Sequence, residues 1–302
     1  MISRKSKAPL GASLVVLSSV FYASYGIWTT LMGNFFGSFT ASTLRCALVT
    51  ILLYLVAVSR KELQKINWRR DYKWFLVMMV SAIFVSGPLY YAILRGGVGV
   101  SLGLAYIGIV IGMFICGKLF MGERFTKDKL IATVLGIVGI VLVFSPNIEA
   151  VGWLALTAAL ASGLATAANM SATKRVPYNG SQSAILVWLP GIIVNLPIAF
   201  LLQEHMPVIG WHVQWLWLLV YVFASLIASW TFIQGLKLVE AGAAGVLGLL
   251  EVVFAVGFGV ILFHERPGIM VLLGVAAIIA AAAVPYVKDY NARKGTLEES
   301  KS

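Results

Sequence analysis

Charge is scarce in this chain. Asp, Glu, Lys and Arg make up 12% of its 302 residues, and only 12 of those side chains are acidic. A water-facing surface carries roughly 25–35% charged residues, so an ordinary soluble exterior is excluded. Cysteine is scarcer still. Cys46 and Cys116 stand alone inside apolar runs and form no CxxC, which excludes a disulfide framework and a metal knuckle. The three histidines, His205, His212 and His264, fall in connections between apolar runs and have no metal-ligand spacing. No Gly-rich loop leads into a Lys-Ser/Thr pair, so the chain has no phosphate cradle of its own for ATP. Clustered catalytic groups are missing too. Neither an enzyme nor a resident metal or cofactor is expected.

What is abundant is hydrocarbon. Sixty percent of residues are hydrophobic and the mean hydropathy is +0.91. Apolar runs near the length needed to cross ~30 Å of lipid recur at 10–31, 39–59, 74–94, 98–119, 130–144, 151–173, 183–202, 214–236, 242–263 and 269–287. They are continuously apolar rather than alternating, so they read as helices and not barrel strands. The expectation is an all-α integral membrane protein with ten transmembrane helices. The first run is too long and polar for a signal-peptide core, so no cleavable signal is expected. The net charge of +11 is a matter of topology rather than nucleic-acid binding. With a cytoplasmic N-terminus, the inner connections receive Arg60, Lys61, Lys65, Arg69, Arg70, Lys73, Lys118, Arg124, Lys127, Lys129, Lys174, Arg175 and Lys237, while the outer side keeps Arg95 and Arg266. That is the positive-inside bias. Both termini are expected in the cytoplasm, with the chain crossing the inner (plasma) membrane.

One segment occurs twice. Residues 88–145 lie without a gap on 230–287, matching Gly103 to Gly245, Gly117 to Gly259 and Glu123-Arg124 to Glu265-Arg266. Such a repeat points to two similar bundles with a pathway between them. Five spans per half make the second half run upside down, giving two inverted five-helix repeats (1–147 and 148–290) and a polar cytoplasmic tail (291–302). The first helix of each half carries a polar stripe at helical spacing: Ser18, Tyr22, Tyr25 and Thr29, then Ser162, Thr166, Asn169 and Thr173. Either these stripes line a polar cavity, or they bond neighbouring helices, as Ser and Thr commonly do in membranes. Gly99, Gly103, Gly108 and Gly112 have GxxxG spacing and suit close packing.

Two ionisable residues lie within spans, Glu251 near the middle of the ninth and Arg45 several residues into the second. Each costs about 2.5–3.5 kcal/mol at a helix centre, so neither is expected to face lipid. Glu251 reads as a proton-coupling group or a partner for a substrate ammonium, and Arg45 as a carboxylate or phosphate clamp. The competing reading pairs them structurally, with each other or with backbone carbonyls. Tyr90, Tyr91, Tyr106, Trp188 and Trp230 are interior aromatics that could stack on a substrate or hold a cation. Asn195 and Gln234 are uncharged polar groups at similar depth. Trp153, Trp211, Trp215 and Trp217 read as an interfacial belt. The repeated Glu-Arg reads as structural, fixing a short corner.

Gly122-Glu123-Arg124-Phe125-Thr126, its echo His264-Glu265-Arg266-Pro267, the run Leu250-Glu251-Val252-Val253-Phe254-Ala255 and Thr43-Leu44-Arg45-Cys46-Ala47 together resemble the drug/metabolite transporter superfamily, EamA type. Val252 stands where that family often has Pro. The resemblance covers nearly the whole chain and implies a ten-helix inverted-repeat carrier. Members commonly export amino acids and related metabolites, while relatives move nucleotide sugars, triose phosphates or drugs. The expected function is export of a small metabolite, amino acids foremost and aromatic ones among them, by alternating access. The alternatives are a multidrug exporter of lipophilic cations, or a scaffold or receptor that transports nothing. The substrate-binding residues expected are Tyr22, Tyr25, Arg45, Tyr91, Asn169, Trp230, Gln234 and Glu251. The partners expected are a small-molecule metabolite, protons and the lipid bilayer, with the protein a monomer or weak dimer.

Overall fold

A computed structural model describes residues 4–123, 126–144, 152–204, 207 and 210–299. Those residues form twelve helices and no strand. In order they are α1 (Arg4–Ala23), α2 (Tyr25–Met32), α3 (Ser38–Ser59), α4 (Trp68–Gly96), α5 (Val98–Met121), α6 (Lys127–Phe144), α7 (Trp153–Arg175), α8 (Gly180–Leu201), α9 (Val213–Leu238), α10 (Ala241–Gly248), α11 (Leu250–Phe263) and α12 (Ile269–Glu299). Two spans are interrupted, α1 with α2 at Ser24 and α10 with α11 at Leu249. The twelve helices are therefore the ten rods of the sequence pattern. Eight of these rods are long and apolar enough to cross a membrane, and Ile269–Val284 is a shorter apolar stretch. The remaining rod, α6, has 18 residues and opens on Lys127-Asp128-Lys129.

Helices outrun the apolar pattern where polar residues can extend them. α4 starts at Trp68 rather than at residue 74 because the Asn67 side chain accepts from the Arg70 N–H and caps the added turn. The break at Ser24 has a local cause. Its hydroxyl donates to the Phe21 carbonyl at 2.7 Å and accepts from Trp28 Nε1 at 3.0 Å, an alternative to the regular ladder that Ser offers readily.

The two halves interlock. The most extensive packing joins them: α4 and α5 pack on α7, α1 on α9, α3 on α8, and α6 on α12. Exchanging the halves turns the α4–α7 contact into α9–α1 and leaves α3–α8 and α6–α12 as pairs with themselves. This is the pattern an inverted repeat requires. α6 and α12 cross so closely that a Cβ on Gly139 would lie 2.8 Å from the Gly274 carbonyl oxygen, and one on Gly274 2.6 Å from that of Gly139. Small residues serve this purpose in membranes, where dispersion rather than hydrophobic exclusion holds helices together.

Four helix ends repeat one device. After α3, α5, α8 and α11, a residue with left-handed backbone (Lys61, Gly122, Gln203 and His264) is followed by a glutamate. The glutamate N–H bonds back five residues from Glu62 to Ala57 and from Glu204 to Ala199, and six from Glu123 to Gly117 and from Glu265 to Gly259. This is the Schellman stop, which satisfies carbonyls that would otherwise be orphaned. The pairs 62/204 and 123/265 share one offset in sequence, so the device belongs to the repeat. The Lys and Arg of the connections after α3, α5, α7 and α9 gather at one end of the molecule, where Lys174 reaches Glu123 and the Val239 carbonyl, and Lys237 reaches the Tyr178 carbonyl. Below, this is the basic end.

Candidate functional site

α2, α3, α8 and α9 converge on Arg45. Its guanidinium carbon lies 4.5 Å from the ring centre of Tyr221, 5.1 Å from Tyr25 and 5.3 Å from Trp188. One guanidinium nitrogen donates to the Tyr221 hydroxyl. Ring faces partly offset the cost of desolvating a cation, but no carboxylate is paired with it: the ion pairs among described residues are Arg70–Asp71, Lys129–Glu240 and Lys174–Glu123. Arg45 Nε, the Tyr25 hydroxyl, Trp188 Nε1 and the Ser225 hydroxyl are buried without a hydrogen-bond partner. Unpaired buried polar atoms are few in native proteins and each calls for a reason. Here several hydrogen-bond donors gather around an unpaired cation.

Glu251 lies in the first turn of α11, immediately after the Leu249 interruption. The backbone there switches to short bonds, Leu249 N–H to Val246 at 3.1 Å and Val252 N–H to Leu249 at 3.0 Å. The chain therefore breaks this helix without the proline that Val252 replaces. A helix N-terminus stabilises negative charge, and the Tyr106 hydroxyl donates to the Glu251 carboxylate at 2.8 Å. Tyr22 links the two poles. Its ring lies 5.3 Å from that of Tyr25 and 6.2 Å from that of Phe232, within electrostatic reach of both Glu251 and Arg45.

Of the eight residues expected from sequence, the structure brings four together: Tyr22, Tyr25, Arg45 and Glu251. The other four stand elsewhere. Asn169 is buried, and its amide is committed to α4, donating to the Met78 carbonyl and to the Ser81 hydroxyl, each at 3.1 Å. Gln234 lies over Gly180 at the start of α8, near the basic end. Tyr91 is exposed on α4, and Trp230 is half-buried on α9, with no ring contact to the cluster among described residues. Tyr221 was not legible as a site residue, although Tyr221, Ser225, Ser229 and Phe232 form a polar-aromatic stripe at helical spacing on α9 that would have flagged it. Arg124, the partner of Glu123 in the repeated motif, lies outside the described residues. A separate crevice of about 500 Å³ between α4 and α7 is lined by Leu76, Val80, Phe84 and Leu164 among others, with Ser81 its one polar side chain. It has no part in the Arg45–Glu251 cluster.

The EamA-like transporter family is matched twice, over residues 9–145 and again over 151–286. A search of curated proteins finds no match. Among solved structures 28 chains match. One, described only as a crystal structure of a protein, superposes with a TM-score of 0.77 over 93% of this chain and 97% of that one, at 16% identity. At that identity the likeness speaks for the fold alone.

Proposed function

Because the chain belongs to the EamA-like transporter family, and is therefore a multi-pass membrane transporter of small molecules, we propose that it exports zwitterionic metabolites, amino acids foremost, by alternating access to the Arg45–Glu251 cluster. One observation carries this reading: a half-buried guanidinium with unspent donors and no acidic partner among the described residues sits in the same aromatic-walled space as a half-buried carboxylate. An amino acid supplies what each pole lacks. Its carboxylate takes the Arg45 and Trp188 donors, its ammonium faces Glu251, and its side chain meets Tyr22, Tyr25 and Phe232. Hydrogen bonds to charged groups contribute about 1.5–3 kcal/mol each, enough for Arg45 to set the preference for a carboxylate.

In this reading the basic end faces the cytoplasm with both termini, the membrane is the inner (plasma) membrane, and the protein works as a monomer or weak dimer. The halves divide at 147/148, with a cytoplasmic tail from 291. Glu251 exchanges a proton for the substrate ammonium, which couples export to a proton gradient. A multidrug exporter of lipophilic cations would use the same carboxylate and rings, but its substrate would have to sit beside an uncompensated Arg45.

The test is counterflow in proteoliposomes, with radiolabelled aromatic amino acids set against tetraphenylphosphonium. Exchange of the amino acid, lost in Arg45→Gln, supports the reading. Exchange of the cation alone replaces it with the multidrug reading. Glu251→Gln is expected to retain counterflow while losing accumulation driven by a pH gradient. Unchanged pH-driven accumulation would remove Glu251 from coupling.

A further inference from the structure

Three of the four corner glutamates do more than end their own helices. Glu204, from the second half, reaches the start of α3 in the first, accepting from Phe39 N–H at 3.0 Å, Thr40 N–H at 2.7 Å and the Thr40 hydroxyl at 2.9 Å. Its repeat mate Glu62 makes the reverse connection, accepting from the Ser181 hydroxyl at 2.7 Å in the first turn of α8. Glu123 reaches the start of α10, accepting from Ala241 N–H at 2.8 Å and Gly242 N–H at 3.4 Å. In each case a glutamate from one half engages the first turn of a helix from the other.

The fourth glutamate does not. Glu265 is exposed, and its carboxylate folds back over Gly259 and makes no hydrogen bond or ion pair with the described residues. The helix it should serve by the repeat is α5, whose residues Val98 and Gly99 correspond to Glu240 and Ala241. α5 begins at Gly97, which offers no side-chain cap. The corner before α10 is packed, with Val239 at 8% and Ala241 at 0% exposure, whereas Val98 is 57% exposed. The α3–α8 pair is thus latched at both of its ends, and the α5–α10 pair at one.

We propose that Glu123 and Glu265 are reciprocal latches that set which end of the pathway is open. In the state seen here Glu123 holds α10 and the basic end is shut. In the opposite state Glu265 caps the first N–H groups of α5 while Glu123 releases α10. The inference rests on the alternating-access reading but not on any substrate. Each latch offers a carboxylate to helix N–H groups, so the two states differ little in energy at this contact, as a carrier needs. Other contacts are unequal. Lys174 and the Lys129–Glu240 pair reinforce the basic end, whereas Val271 and Thr30 stand where the repeat and the matched stripes place their counterparts. The state with the basic end shut is therefore the resting one.

Amide hydrogen exchange of the full-length protein in nanodiscs, without substrate, reads both latches at once. In the native protein the amides of Ala241 and Gly242 exchange through excursions to the opposite state, and those of Val98 to Val100 exchange freely. Glu123→Gln is expected to speed exchange at 241–242 by ~tenfold, the worth of a charged cap, and to slow it at 98–100. Glu265→Gln is expected to slow exchange at 241–242 by a similar factor, and the double variant to return both segments toward native rates. Glu265 is exposed, so its variant tests the idea even if Glu123→Gln misfolds. If Glu265→Gln leaves 241–242 unchanged, or Glu123→Gln speeds α10 with α5 unmoved, Glu123 is an ordinary structural cap and the proposal fails. Since no substrate is present, failure of the amino-acid reading in counterflow leaves this result standing, and the reverse also holds.

Discussion

α1 and α7 occupy equivalent places in the two halves and carry polar residues at the same spacing, yet they put them to opposite uses. On α1 and its continuation α2 the stripe holds Tyr22 and Tyr25, which build the aromatic wall between Arg45 and Glu251, and the Tyr25 hydroxyl has no well-formed hydrogen bond among the described residues. On α7 the stripe is spent on bonding. Ser162 donates to the Val85 carbonyl at 2.8 Å, Asn169 to Met78 and Ser81, and Thr166 and Thr173 to carbonyls four residues back. Side-chain reach decides between these outcomes. Short hydroxyls and amides let α4 approach until every group has a partner, whereas tyrosines hold neighbours apart and carry their hydroxyls beyond the backbone. A matched pattern in an inverted repeat therefore marks matched position, and residue size settles whether it becomes a cavity or a joint.

The comparison is sharpest at Arg45, the cation that the α1 stripe faces. Arg45→Gln is expected to weaken amino-acid binding by about ten- to hundredfold, the worth of a charge-assisted bond. Its thermal stability should not fall, since the residue removed is a buried cation without a carboxylate; isothermal titration and a melting curve on one preparation report both. Asn169→Leu should do the reverse. It is expected to cost about 0.6–1.7 kcal/mol through its two lost bonds to α4, read from unfolding in mixed micelles, with affinity held within about twofold. An affinity loss as large as that of Arg45→Gln would return α7 to the cavity and break the distinction. Tyr25→Phe removes a hydroxyl that neighbours the Ser225 hydroxyl and has no well-formed hydrogen bond among the described residues. It should leave stability within about 0.5 kcal/mol and weaken binding by roughly fivefold, if the substrate is what bonds it. The smallest effect belongs to Thr166→Val, whose one bond is to its own helix. A change below about 0.5 kcal/mol in stability is expected, with no change in transport rate.

Much of the fold was legible because the membrane imposes one rule, that a run long enough to cross must be helical. The ten rods and the repeat followed from apolar length and from matched glycines and glutamates. The interruptions at Ser24 and Leu249 did not, because Ser24 depends on where its hydroxyl finds partners and Leu249 has neither proline nor a polar side chain to mark it. The site was half legible. Arg45 and Glu251 stood out because ionisable groups in hydrocarbon are costly. Trp188 was legible as an interior aromatic that could hold a cation, but its place beside Arg45, and Tyr221 with it, emerged when α8 and α9 closed around α3, a contact between residues far apart in sequence. Gln234 and Asn169 look like cavity residues by depth alone, and the crossing of helices assigns them instead to the α8 start and to α4.

The interleaving of the halves bears on how the protein is made. α1 needs α9, α3 needs α8, and α6 packs chiefly on α12, the last of the described helices to be made. The first five helices therefore enter the bilayer with their packing faces turned to lipid, and they wait there. A chain stopped before residue 269 leaves the Gly139 face of α6 without its mate, so premature truncation should expose the newborn protein to membrane quality control rather than yield a working half.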